Sequence, residues 1–237
     1  MARSGKFLTA EWKNLLMLNY SVDPSLLQRH VPTGTELDHF DGKTYLSLIG
    51  FEFNQTRLSG IAIPFHRSFE EVNLRFYVKR SSKRAVVFIS EIVPKYAVAA
   101  VARWAFGEKY SYAPMAHSVQ ILPELDAVNA RYSWGIGPTF CSIKIETSGA
   151  SFLPPEGSLA QFITEHYWGY AAQRNGGSLE YEVLHPQWQV REAKSAGFSG
   201  NAAHFYAAPF AEILSRPPDS AFLAEGSTVT VFKGVRI

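Results

Sequence analysis

Cysteine is almost missing from this sequence. Cys141 is the one thiol in 237 residues, which excludes an intrachain disulfide and gives secretion no support from cysteine usage. Charge is sparse as well: 19% of residues are Asp, Glu, Lys or Arg, and 23 basic against 21 acidic side chains leave a formal net charge of +2. That balance supplies no broad positive field, so no nucleic-acid partner is expected. Long apolar runs are lacking too. None approaches the ~18 residues of a spanning helix, and Arg3 and Lys6 precede only Phe7-Leu8 before Glu11 and Lys13 intervene, short of a signal-peptide core. The expectation is a cytoplasmic protein with no membrane partner. Repeats, low-complexity tracts and long linkers are absent, so residues 1–237 are read as a single domain, a length that all-β barrels of about 200–250 residues routinely reach.

Several chemical motifs are also missing. The chain has no Gly-x-x-x-x-Gly-Lys-Ser/Thr phosphate loop, no Gly-x-Ser-x-Gly elbow and no His-Glu-x-x-His helix. Gly135-Ile136-Gly137 lacks a third glycine and runs into Pro138. Histidines are scattered without metal-ligand spacing; Glu165-His166 and His185-Pro186 are the nearest candidates, and a structural role is the simpler reading of each. No metal and no cofactor are therefore expected.

What is present is alternation. Tyr45 to Phe53 reads as a strand, and Glu71 to Lys79 and Ala85 to Val93 read as two strands joined at Ser81-Ser82. The flanking Lys79, Arg80, Lys83 and Arg84 read as a solvated turn. Met115 to Leu122, Ala130 to Gly135, Thr139 to Thr147, Leu179 to Leu184, Trp188 to Ala193 and Thr228 to Phe232 continue the strand pattern. Period two places Cys141 with Ile143 and Ile145 on an apolar face, as a small buried hydrophobe. Helices are fewer. Asp23-Pro24 supplies an N-cap and a first-turn proline for a short helix that must stop before Pro32. Lys95 to Phe106 is Ala-rich and meets Gly107. Ser158 with Gln161 forms a capping box opening a longer helix, with Leu159, Phe162, Ile163, Tyr167, Tyr170 and Ala171 on one face and Asn175-Gly176 at its end. Many strands with two or three helices imply a mainly β (α+β) fold, a β-barrel or curved sheet carrying peripheral helices.

One strand stands apart chemically. In Glu71-Val72-Asn73-Leu74-Arg75-Phe76-Tyr77-Val78, one face is Val, Leu, Phe, Val and the other Glu, Asn, Arg, Tyr. Neighbours on one face lie about 6.5–7 Å apart, so the polar face is a row of complementary donors and acceptors. Two readings stay open: a solvent face with a Glu/Arg/Tyr ladder, or the wall of a closed lumen whose apolar back packs on helices outside. In the second, Glu71 would be buried beside Arg75, with an adjustable pKa.

Several segments in order resemble the uncharacterised YqjF-like family of the acetoacetate decarboxylase-like superfamily. They are Trp12 with Leu15-Leu16, Tyr20-Ser21-Val22-Asp23-Pro24, Val31-Pro32, Leu37-Asp38 with Phe40-Asp41-Gly42, the strand from Glu71 to Val78, Ala102-Arg103, Phe162-Ile163-Thr164-Glu165-His166-Tyr167 and His185-Pro186-Gln187-Trp188. The resemblance spans roughly residues 11 to 232 and implies a superfamily-type β-barrel. In acetoacetate decarboxylase a lysine forms a Schiff base with a β-keto acid, and it must be neutral to attack. It lies seven residues after an arginine that resembles Arg103. The same count reaches Tyr110 here; Lys109 is one residue early and sits beside Glu108, and in an extended segment that shift reverses the face.

The resemblance further implies Glu71 as the pocket glutamate, through Phe69-Glu70-Glu71. It also implies Lys13 at the position of a carboxylate-binding arginine, whereas alignment from Glu11 points to Ala10. Glu71, Tyr110 and Lys109 are thus the candidate catalytic residues. Lys13, Asn73, Arg75, Tyr77, Arg103 and Met115 are the candidate ligand-binding residues. Three functions follow. The first is a barrel binding a small organic carboxylate- or carbonyl-containing ligand. The second is a lyase, decarboxylase- or dehydratase-like, acting on an oxo acid through Lys109 or through Glu71 and Tyr110. The third is a non-catalytic homo-oligomer using Trp134, Trp168 and Trp188, for which core packing is the simpler role.

Overall fold

Alternating side chains build a structure dominated by strands. The computed structural model describes residues 5–96, 98, 109–173 and 176–237. Strand β1 (Lys6–Val22) pairs antiparallel with β3 (Thr44–Leu58) on one side and with β14 (Ser220–Phe232) on the other. The path runs on through β5 (Phe69–Arg80), β6 (Lys83–Val93), β11 (Trp168–Ala172) and β12 (Ser178–Leu184). Strand β12 then returns to β14 through Val183↔Val231 and Leu184↔Thr230, closing a ring of seven strands. From β14 the sheet also extends through β13 (Val190–Gly200) into β10 (Thr139–Thr147), β9 (Ala127–Ile136) and β8 (Met115–Leu122), an antiparallel layer laid over the outside of the ring. Short strands β2 (Glu36–Leu37), β4 (Ile61–Ala62), β7 (Tyr110–Tyr112) and β15 (Val235–Arg236) pair with β5, β3, β6 and β12. Helices α1 (Pro24–Gln28), α2 (Leu159–Thr164) and α3 (Ala208–Leu214), with short 3-10 turns at Pro123–Leu125 and Ala202–His204, lie between the strands. The mainly β class is the one expected.

Ring closure divides the core in two. Outward-facing Leu16, Leu48, Val72, Leu74 and Phe76 pack against Tyr132, Trp134 and Ile143 of the overlaid layer and Phe210 and Leu214 of α3. Inward-facing Met17, Ile49, Phe51, Phe53 and Phe69 pack with Phe162 of α2 and with Trp188. The outer cover is thus chiefly a second sheet rather than the helices expected. Cys141 lies wholly buried in the outer cluster, where burial pushes its thiol up to about 11. Those three tryptophans form no exposed row: Trp134 and Trp188 are buried, and half-buried Trp168 lies beneath the Lys83 ammonium. The basic turn is more engaged than a solvated one, because Arg80 and Lys83 pair with Glu180, and Arg84 with Asp38.

Two helix expectations change. Asp23 caps α1 by accepting from the Ser25 amide at 2.8 Å, as the sequence suggests. Ser158 and Gln161 cap α2 equally well, but that helix ends at Thr164 and the chain becomes strand β11 at Trp168. The reason is tertiary: a Cβ on Gly169 would fall 2.2 Å from the Tyr181 ring, so glycine lets β11 and β12 pair closely. Asn175, its expected terminus, and nearly all of the expected helix Lys95–Phe106 lie outside the described residues. Among those described, no helix is long and apolar enough to cross a membrane.

Gly50 marks where the overlaid layer meets the ring, since a Cβ there would lie 2.8 Å from both the Tyr132 ring and Ile143. Gly50→Ala must push that layer outward. It should cost about 1–3 kcal/mol of unfolding free energy, read as a lowered denaturant midpoint with an unchanged slope.

Candidate functional site

The ring encloses a cavity of about 260 Å³. Its wall includes Glu71, Asn73 and Arg75 of β5, Glu91 of β6, Tyr110 of β7, and His166 and His185 from the loops flanking β11 and β12. Strand β5 carries its polar row inward because Val72, Leu74, Phe76 and Val78 on the other face are committed to the outer core. Of the two readings of that strand, the lumen wall is the one found. Glu71 is 2% exposed, Asn73 3% and Arg75 8%.

Within the row, spacing decides the partners. Asn73 Nδ2 donates to Glu71 Oε1 at 3.0 Å, and the Tyr110 hydroxyl donates to Glu71 Oε2 at 3.0 Å. Arg75 stands two same-face steps from Glu71, about 13 Å along the strand, so the expected Glu71–Arg75 pair does not form. Arg75 Nη2 donates instead to the Ile163 carbonyl at 3.1 Å. Burial raises the Glu71 carboxyl to about 7, although the Asn73 and Tyr110 hydrogen bonds and the Arg75 charge all favour its ionised form. Burial likewise pushes the Tyr110 hydroxyl well above its ordinary value, and the Glu71 and Glu91 carboxylates add to the shift.

Both histidines are held below the ordinary range. Burial is the main cause at His166, reinforced by Arg75 and Arg84; burial also leads at His185. His166 lies between the Tyr77 ring, 4.6 Å between centroids, and Phe162, 5.6 Å away. His185 stacks on Trp188 at 4.1 Å. Six buried polar atoms of the lining have no hydrogen-bond partner: Asn73 Oδ1, Arg75 Nε and both ring nitrogens of His166 near the polar row, and Trp12 Nε1 and Thr56 Oγ1 farther along. Buried polar atoms without partners cost free energy, so each of these atoms holds unused hydrogen-bonding capacity at the cavity wall. No group of three or more metal-ligating side chains occurs among the described residues.

The remaining candidates divide. Tyr77 is buried below the cavity, its hydroxyl 2.7 Å from Ser47 Oγ, which in turn donates to Asn19 Oδ1 at 2.7 Å. Lys109 is exposed while its neighbour Tyr110 lines the cavity, the face reversal expected of a one-residue offset. Lys13 is a correction: it lies on the surface, paired with Glu11 at 3.3 Å, because Trp12 and Leu15 take the inward positions around a bulge at Asn14, φ 54°. Ala10, its alternative, is buried in the inner core and offers no charge. Met115 is a second correction, since it packs half-buried on the outer cluster, opposite Trp134 on β9. Arg103 lies outside the described residues. Glu91 and Thr164 were not anticipated. Glu91 had one readable signal, as the lone acid in the strand Ala85 to Val93, and it pairs in register with Asn73.

Comparison with known proteins places this geometry in context. The model of the family DUF2071, described as an uncharacterized conserved protein, matches residues 9–228. The uncharacterized protein YqjF of Bacillus subtilis (strain 168) is 30% identical over 186 residues, covering 78% of this chain and 75% of that protein. Among solved structures, the enduracididine biosynthesis enzyme MppR complexed with pyruvate superposes with a TM-score of 0.70 at 12% identity, covering 100% of this chain and 91% of that one. The acetoacetate decarboxylase from Legionella pneumophila gives a TM-score of 0.68 at 12% identity, covering 98% and 87%. Family match and sequence relative agree, and the chain belongs to the DUF2071 family with an acetoacetate decarboxylase-like fold.

Proposed function

We propose that the chain binds a small oxo acid in the ring cavity, with Arg75 and His166 receiving the carboxylate and Glu71 and Tyr110 facing the carbonyl. The observation that carries this reading is the set of unpartnered atoms, Arg75 Nε and the two His166 nitrogens, buried at one cavity wall. A guanidinium with a free Nε–H is a fitting donor to a carboxylate, and a neutral histidine can donate one further hydrogen bond. A similarly folded enzyme, MppR, is complexed with pyruvate in one structure and with the condensation product of pyruvate and imidazole 4-carboxaldehyde in another. A lyase-type reaction is the second reading, favoured by Glu71 at about 7. That value suits a group that exchanges a proton near neutral pH. Tyr110 can hold a hydrogen bond to the reacting oxygen but cannot form an imine.

Titration calorimetry with pyruvate should show saturable binding that weakens about 10- to 100-fold in Arg75→Ala, the loss of a charge-assisted hydrogen bond, with unchanged circular dichroism. Equal affinity in that variant, or no binding of pyruvate or acetoacetate at tens of millimolar, would defeat the proposal. Borohydride added during incubation with acetoacetate or pyruvate should leave the intact mass unchanged, because Lys109 faces away from the cavity; an adduct on Lys109 would restore the imine route.

Glu71 also predicts a pH dependence. Its folded pKa, about 7, lies above the 4.5 of an ordinary glutamate, so its contribution to stability is fully present below pH 4.5 and is lost as pH rises toward and through 7. Glu71→Gln should abolish that part of the decline, about 3 kcal/mol, as seen by comparing denaturant midpoints of both proteins across the window. A pH dependence identical in the two proteins would rule the titration out.

A further inference from the structure

Only part of the cavity wall is accounted for by an oxo acid head. Polar groups gather on β5 from Glu71 to Arg75, but from Phe69 onward the wall is mostly apolar, with Thr56, His66 and the Trp12 indole N–H as its polar groups. On β3, Phe51, Phe53 and Leu58 follow one another along the cavity. Trp12 on β1 meets Phe51 and Phe53 at 5.2 and 5.6 Å, and Phe53 stacks on Phe69 at 4.7 Å. At the far end the lining reaches solvent through Ile63, 37% exposed, on the segment after β4. Ile61 of β4 and Phe65 after it are also exposed, at 66% and 91%. Phe69 lies six positions from Arg75 on β5, about 20 Å at ~3.3 Å per residue, and two positions from Glu71, so the mostly apolar stretch begins beside the carboxyl and runs away from the guanidinium.

A three-carbon acid seated at Arg75 and Glu71 would leave this apolar stretch filled with water or empty, and both are unfavourable against aromatic and aliphatic walls. Resting on the oxo acid reading above, we infer that the ligand is amphiphilic: an oxo acid whose acyl or aryl tail of five or more carbons lies along Phe69, Phe53 and Trp12 toward Ile63. The polar end selects the head and orients it. The apolar end supplies affinity in proportion to tail length, at roughly 25 cal/mol per Å² of surface removed from water.

Calorimetric titration of the full chain with pyruvate, 2-oxobutanoate, 2-oxohexanoate and 2-oxooctanoate tests this. Kd should fall about 2- to 4-fold for each methylene, roughly 30-fold or more across the series. Ile63→Glu, at a partly exposed position, should lower the affinity ratio of 2-oxooctanoate to pyruvate about 10-fold or more. A Kd that is flat or rises with length while pyruvate still binds overturns the apolar subsite and leaves the oxo acid reading standing. Binding of nonan-2-one without binding of any acid supports the apolar subsite and overturns the carboxylate head. Failure of ketone and acids alike overturns both.

Discussion

Strand β5 is buried on both of its faces, and most of the site's chemistry follows from that constraint. Its residues from Glu71 to Val78 are all shielded from solvent, the outer face by a second sheet and the inner face by ring closure. A strand in this position would ordinarily be apolar throughout. Here every second residue is polar, so Glu71, Asn73 and Arg75 must find partners within the wall or go without. Glu71 finds two, Arg75 one, and His166 none.

The electrostatic state of the cavity follows from the same desolvation. Burial acts in opposite directions on acids and bases, raising Glu71 and Tyr110 and lowering His166 and His185. Each shift favours the neutral form. The guanidinium of Arg75 is the cation of that wall, and Glu91, in register with Asn73, adds a second acidic group beside Glu71.

Much of the fold was legible, because short turns and strict alternation mark the hairpins from Phe69 to Val93 and from Met115 to Thr147. The 17-residue strand β1 was not, since its pairing with β3 shifts register between Thr9 and Glu11 and again between Lys13 and Leu16, and each shift breaks the period-two pattern. Lys13 came from a count along the resemblance, and a count carries no information on which face a bulged strand presents. In α2, Ser158 and Gln161 fixed the start, but aromatic residues suit helix and strand alike. The end of that helix depends on the Gly169–Tyr181 contact, which only the folded chain makes. His166, just past that end, could not be assigned to the cavity without it. The polar row of β5 was readable as a row; whether it faced water or a lumen depended on closure between β12 and β14, elements separated in sequence by some 35 residues or more from each other and farther from β5.

Below Arg75 the interior is solid: Tyr77, Ser47 and Asn19 are linked by hydrogen bonds, and Phe162 packs on the Tyr77 ring at 5.2 Å. That plug gives the channel a zero mark. Under the proposed reading, a molecule whose head reached the guanidinium could travel no deeper, any extra length would project the other way, and the distance from plug to rim would become a scale on which ligands are measured.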